Sequence, residues 1–166
     1  MSSKKNVRHL SITSSILLAF SCLSQISFAE ANQDSKASYG GFISIFFKPG
    51  FPAKDDVLDS SASIKPELFS KIMNENLSLI TALPNERVRV IGSTDDTECI
   101  GRECIYLSAR RALLIEEWLI AHGVSRSRMD PIMVLGKDYP ASENNSMDGR
   151  ELNRRAEIAF SSEDRD

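Results

Sequence analysis

Two kinds of apolar pattern take turns along this chain, and their alternation limits the fold more than any other feature. Short runs rich in β-branched and aromatic side chains occur at 42–47 (Phe-Ile-Ser-Ile-Phe-Phe), 87–91 (Arg-Val-Arg-Val-Ile), 132–135 (Ile-Met-Val-Leu) and 156–160 (Ala-Glu-Ile-Ala-Phe), and they read as strands. In the last run Ala156, Ile158 and Phe160 face one way and Glu157 the other. Longer stretches lie between, with apolar residues three and four apart. Pro66 suits a first helical position and Glu67 complements the positive helix start. Leu68, Phe69, Ile72, Met73, Leu77, Ile80 and Leu83 then recur until Pro84-Asn85 ends the helix. A second helix is expected from about Ile105 to His122, stopped by Gly123, and a short one near 149–154. Residues 50–63 have no periodicity and read as a loop. Strands joined by helix-length crossovers build an α/β (α+β) layer fold. The expected architecture is a small mixed four-stranded sheet with helices packed on one face, in the order βαβαβ(α)β. At 166 residues the chain supports one such core.

The first 29 residues do not belong to that pattern. Lys4, Lys5 and Arg8 form a positive leader, 12–28 is mostly apolar, and Ser27-Phe28-Ala29 has small residues at the first and third positions before a cut. This is the layout of a secretory signal peptide cleaved after Ala29, or after Ala31 by way of Ala29-Glu30-Ala31. The run is short for a membrane span and interrupted by hydroxyl side chains. Lipidation at Cys22 is disfavoured by Phe20, which stands where a small residue is expected. Residues 30–41 are polar and read as a loose tether, leaving 42–162 as the domain. Losing the leader removes three positive charges and takes the formal charge from −3 to −6, so a nucleic-acid partner has no electrostatic support. Export also leaves two cysteines, Cys99 and Cys104, in an oxidising compartment. They are expected to form a disulfide, worth about 2 kcal/mol for so short a loop on the chain-entropy model. No metal site is expected, because no histidine or second cysteine pair lies near enough to complete a shell.

On the second helix, a rotation of about 100° per residue gathers Leu114, Trp118, Arg111, His122, Ile115, Leu119 and Ala112 on the core side. Arg110, Glu116 and Glu117 fall on the other side. Arg111 is thus turned inward near the helix start, where an unpaired guanidinium costs several kcal/mol. A partner lies upstream in Gly92-Ser-Thr-Asp95, at the exit of the strand over 87–91. Crevices at the carboxyl ends of strands are where α/β folds bind ligands. Asp95 and Arg111 side by side, not fully neutralising each other, would grip a zwitterion. Spacing alone equally allows a plain structural ion pair.

Taken in order, Gly92-Ser-Thr-Asp95, Leu107-Ser-Ala-Arg-Arg111-Ala112, Leu119, Gly123-Val124 and Gly149-Arg-Glu-Leu-Asn153-Arg154-Arg155-Ala-Glu-Ile158 closely resemble the OmpA-like C-terminal domain. That family is shared by periplasmic parts of outer-membrane proteins, Pal-type lipoproteins and MotB-type stators, and the resemblance covers about 42–160. It implies non-covalent binding of peptidoglycan in the periplasm, at the outer membrane or cell wall. Asp95 and Arg111 would grip the amino and carboxylate groups of meso-diaminopimelate in the stem peptide, with Thr94 beside them and Asn153, Arg154 and Arg155 lining the same region. The sequence departs from the family pattern at three places. Ser93 stands where His often precedes Thr-Asp, Cys104 replaces an Asn three residues before Leu-Ser, and the loop between Asp95 and Leu107 is slightly longer.

An enzyme is not expected, and neither is a cofactor. His122 is the one histidine after the leader, and on the apolar side at a helix end it reads as a helix-end or core-edge residue rather than a base, which needs a nucleophile in reach. Asp55-Asp56, Asp95-Asp96 and Glu116-Glu117 are neighbours whose side chains diverge. The rival reading is an envelope protein-interaction module that kept the fold and lost wall binding, with Leu113 and Ile120 on the outer side of the helix as its surface.

Overall fold

The expected alternation resolves into a mixed sheet whose strand order differs from its order in sequence. The computed structural model describes residues 38–39 and 41–161. The expected leader, Cys22 and most of the tether lie outside them. The strands are β1 (Ser38–Tyr39), β2 (Phe42–Ile43), β3 (Ile45–Phe46), β4 (Val88–Ser93), β5 (Met133–Gly136) and β6 (Arg155–Phe160). The helices are α1 (Leu58–Ser61), α2 (Pro66–Ala82), α3 (Arg102–Ala121) and α4 (Met147–Asn153), with a 3₁₀ turn at Arg126–Arg128.

The main sheet runs β3-β6-β4-β5, and β1 and β2 form a separate two-stranded ribbon. β4 and β5 are parallel, as the α3 crossover between them requires, while β6 is antiparallel to both β3 and β4. Register places Val88 opposite Phe160 and Val90 opposite Ile158. These positions share one face, and α3 packs against it with Ala112, Ile115 and Leu119, all fully buried. α2 closes the core with Phe69, Met73 and Ile80. Each large side chain so buried contributes roughly 1.5–3 kcal/mol relative to exposure.

The structure departs from the sequence reading at several points. Ser38–Tyr39 pairs with Phe42–Ile43, so the expected tether over 30–41 ends in structure. The strand over 42–47 is broken at Ser44. Beside that break α2 supplies the buried Asn76, whose Oδ1 accepts from the Ile43 N–H at 2.8 Å and whose Nδ2 donates to the Ile43 carbonyl at 2.8 Å. An amide side chain thus stands in for a neighbouring strand. One helical turn, α1, lies inside the expected loop at 50–63. α3 begins at Arg102, three residues before the expected start. Glu157 lies on the face away from α3 but is buried there, in an ion pair with Arg155 at 3.1 Å. His122 is exposed at the end of α3, stacked on Trp118 with ring centroids 3.6 Å apart, so it leaves the core side. Arg110 is half-buried, with Nε donating to the Pro52 carbonyl at 3.0 Å, and Ile120 packs against the core.

Candidate functional site

The site lies where β4 ends and α3 begins, and two residues set its geometry. Gly92 lets the strand touch the helix: a Cβ there would stand 1.9 Å from the Ser108 carbonyl oxygen. At the other end of the loop Gly101, at φ 56°, takes the left-handed turn into α3. Cys99 and Cys104 are joined, with Cα atoms 5.1 Å apart, and fasten the loop to the first turn of the helix.

Arg111 faces inward as the helix rotation requires and is fully buried. Its Nε donates to the Phe51 carbonyl at 2.9 Å and its Nη1 to the Ser93 carbonyl at 2.8 Å. Its ring-facing side lies 5.2 Å from the centroid of Phe47. Its ion-pair partner is Glu98 rather than Asp95. Nη1 and Nη2 donate to Glu98 Oε1 and Oε2, each at 2.7 Å, a bidentate pair whose side chains are 0% and 1% exposed. The Glu98 carboxylate also accepts from the Asp95 N–H at 3.0 Å and from the Gly50 N–H at 2.8 Å. Burial pushes the Arg111 pKa down and Glu98 opposes the shift. The guanidinium nevertheless remains a cation.

Asp95 is equally buried and has a different partner. Oδ2 accepts from Arg154 Nη1 at 2.8 Å, and Oδ1 accepts from the Thr97 N–H at 2.6 Å, the Thr97 hydroxyl at 2.9 Å and the Glu98 N–H at 2.9 Å. Burial alone would raise its pKa. The hydrogen bonds from Arg154, Thr97 and Glu98 together outweigh burial and hold the carboxyl below its ordinary value. A depressed folded pKa stabilises the fold above the unfolded-state value and loses that contribution as pH falls through the folded one. Asp95→Asn is therefore expected to flatten the stability loss below about pH 4, measured as urea midpoints at neutral and acid pH.

The expected open pair of Asp95 and Arg111 is thus two closed pairs, Arg111–Glu98 and Asp95–Arg154, held on one loop. Of the Asn-Arg-Arg segment only Arg154 joins the site, and its Nε also donates to the Phe47 carbonyl at 3.2 Å. Arg155 turns to the far face toward Glu157. Asn153 organises the 141–144 loop, accepting from the Ala141 and Ser142 N–H groups and donating to the Ser142 carbonyl. Thr94 lies at the strand exit, its N–H donating to the Gly136 carbonyl at 2.8 Å. The buried hydroxyls of Ser93 and Thr94 have no hydrogen-bond partner among the described residues. Glu98 was missed because a loop has no periodicity to place its side chains. The available signal was the buried arginine itself, which demands a carboxylate within reach. Beside the pair opens a cleft of about 430 Å³, lined by Gly50, Thr97, Glu98, Ile100, Glu103 and Arg110 among others.

The model of the OmpA family matches residues 59–154, and the chain belongs to that family. Over 100 residues it is 35% identical to the "Peptidoglycan-binding protein ArfA" of Mycobacterium tuberculosis H37Rv, a match covering 60% of this chain and 30% of that protein's length. The C-terminal domain of Helicobacter pylori MotB superposes with a TM-score of 0.58 at 26% identity, covering 75% of this chain and 88% of that one. The peptidoglycan-associated lipoprotein of Burkholderia pseudomallei shares the fold with a TM-score of 0.56 at 19% identity, covering 71% and 89%.

Proposed function

We propose that this domain binds peptidoglycan without chemically altering it, taking the charged end of a stem peptide at the corner formed by Arg111, Asp95 and Arg154. The observation that carries this reading is a carboxylate receptor assembled at a strand's exit. One guanidinium and the N–H groups of Asp95 and Gly50 converge on a single carboxylate. The ligand we assign is meso-diaminopimelate, whose free end outside the peptide bonds of the stem carries both a carboxylate and an ammonium. Family membership and the name of the mycobacterial relative support the polymer class. The setting that fits is the periplasm, with residues 1–29 as the export signal and the domain tethered to or sensing the wall. An envelope protein as the sole partner is less favoured. Leu113 is 42% exposed, but Ile120, the other half of that surface, packs against the core.

A few charge-assisted hydrogen bonds at about 1.5–3 kcal/mol each, less the cost of association, give micromolar to millimolar affinity for one stem peptide. Many sites on one polymer then supply retention. In sedimentation with purified sacculi, the wild-type protein is expected in the pellet, less so at high salt, and Asp95→Asn and Arg111→Ala in the supernatant. Circular dichroism confirms that each variant is folded. Folded variants that sediment like the wild type would exclude this corner as the binding site.

A further inference from the structure

Glu98 sits where a ligand's carboxylate would sit. It accepts a hydrogen bond from each Arg111 Nη and from both converging backbone N–H groups, leaving the receptor no vacancy for a second carboxylate. Its side chain is 1% exposed, yet Glu98 lines the 430 Å³ cleft on one side and holds the Arg111 guanidinium on the other. We propose that Glu98 is a tethered pseudo-ligand that closes the carboxylate subsite, and that binding proceeds by exchange of the incoming carboxylate for that of Glu98. The proposal rests on the peptidoglycan reading for the identity of the natural ligand, but not for the exchange itself.

Three features make exchange physically reasonable. Glu98 belongs to the loop at 94–101 and not to a strand or helix, so its departure breaks no ladder or helical hydrogen bond. Arg111 keeps its bonds to the carbonyls of Phe51 and Ser93 when Glu98 leaves, so the receptor stays aimed. Charge also balances: Asp95, Glu98, Arg111 and Arg154 sum to zero, and a zwitterion leaves that sum unchanged. Its carboxylate takes the place of one already there. Its ammonium enters a cleft that also holds Glu103 and would receive the displaced Glu98. The Cys99–Cys104 bridge begins at the next residue and limits how far Glu98 can swing, which keeps the tethered competitor close. A competitor on a short tether acts at millimolar effective concentration, so the apparent affinity of a free ligand falls by the fraction of time the subsite is open.

The test compares wild type with Glu98→Ala, and with Glu98→Gln as the variant that keeps size and a single acceptor. The proteins are prepared from the full chain. Each is titrated with meso-diaminopimelate by calorimetry, and melting is followed with and without that ligand or sodium acetate, against sodium chloride at equal ionic strength. Removing Glu98 is expected to tighten diaminopimelate binding about tenfold or more, with Glu98→Gln intermediate. It is also expected to lower the melting temperature, and diaminopimelate or acetate should recover part of the loss in Glu98→Ala only. Adding Arg111→Lys to Glu98→Ala should abolish that recovery. Equal affinity in wild type and both variants, or a destabilised Glu98→Ala that neither ligand recovers, would overturn the exchange and leave Glu98 a structural ion-pair partner. If Glu98→Ala does not fold, the calorimetric affinity of Glu98→Gln decides: tighter diaminopimelate binding than wild type supports the exchange, and equal affinity overturns it. Failure of the two readings is distinguishable. Recovery by acetate without sacculus binding by any variant keeps the gate and removes peptidoglycan. Sacculus binding with equal diaminopimelate affinities keeps peptidoglycan and removes the gate.

Discussion

Replacing Arg111 with methionine is expected to cost the domain about 3–5 kcal/mol, the largest loss of any single change at the site. The loss comes less from forfeited attraction than from what stays behind. Glu98 would lose its counter-ion, whether it stays on its two backbone N–H groups or turns into the cleft and leaves them unpaired, and the carbonyls of Ser93 and Phe51 would lose their donor. Adding Glu98→Leu should recover more than half of that cost, because two apolar side chains replace a pair whose desolvation consumed most of its Coulomb energy. Urea denaturation of the wild type, both single variants and the double variant measures this coupling. Additive losses would mean that the two charges do not depend on one another.

Gly92→Ala comes second. The added methyl group would stand 1.9 Å from the Ser108 carbonyl oxygen and 2.8 Å from its carbon, both of them backbone atoms of α3. No rotamer relieves such a contact, so the helix must move off the sheet. Overpacking of this kind costs about 3 kcal/mol, seen as a melting temperature lower by roughly 10 °C. Because α3 also carries Arg111, sacculus retention should fall with it. An unshifted melting curve would show that strand and helix are farther apart than described.

Legibility in the sequence followed the range of the interactions. The period of apolar residues located β4, β5, β6 and both long helices, and it placed β3 within a run over 42–47 that the structure breaks at Ser44. The helix rotation turned Arg111 inward, and the even pair of cysteines after the expected leader pointed to the Cys99–Cys104 bridge. What spacing could not supply was the identity of partners across loops. Arg111 meets the carbonyl of Phe51, sixty residues away, and Arg154 meets Asp95 across fifty-nine. Nothing periodic links such positions. Adjacent arginines illustrate the same limit: Arg154 precedes β6 and reaches Asp95, while Arg155 begins the strand and is committed by alternation to the other face. Asn153 matched a family motif, but its amide holds the 141–144 loop.

The strand made last sits in the middle of the sheet. Before Arg155 is added, β3 has no neighbour in its sheet and β4 has one bare edge. Assembly is therefore all or nothing: a shortened product presents unpaired edges and an uncovered core to proteases, and cooperative folding waits for the final six residues of the strand.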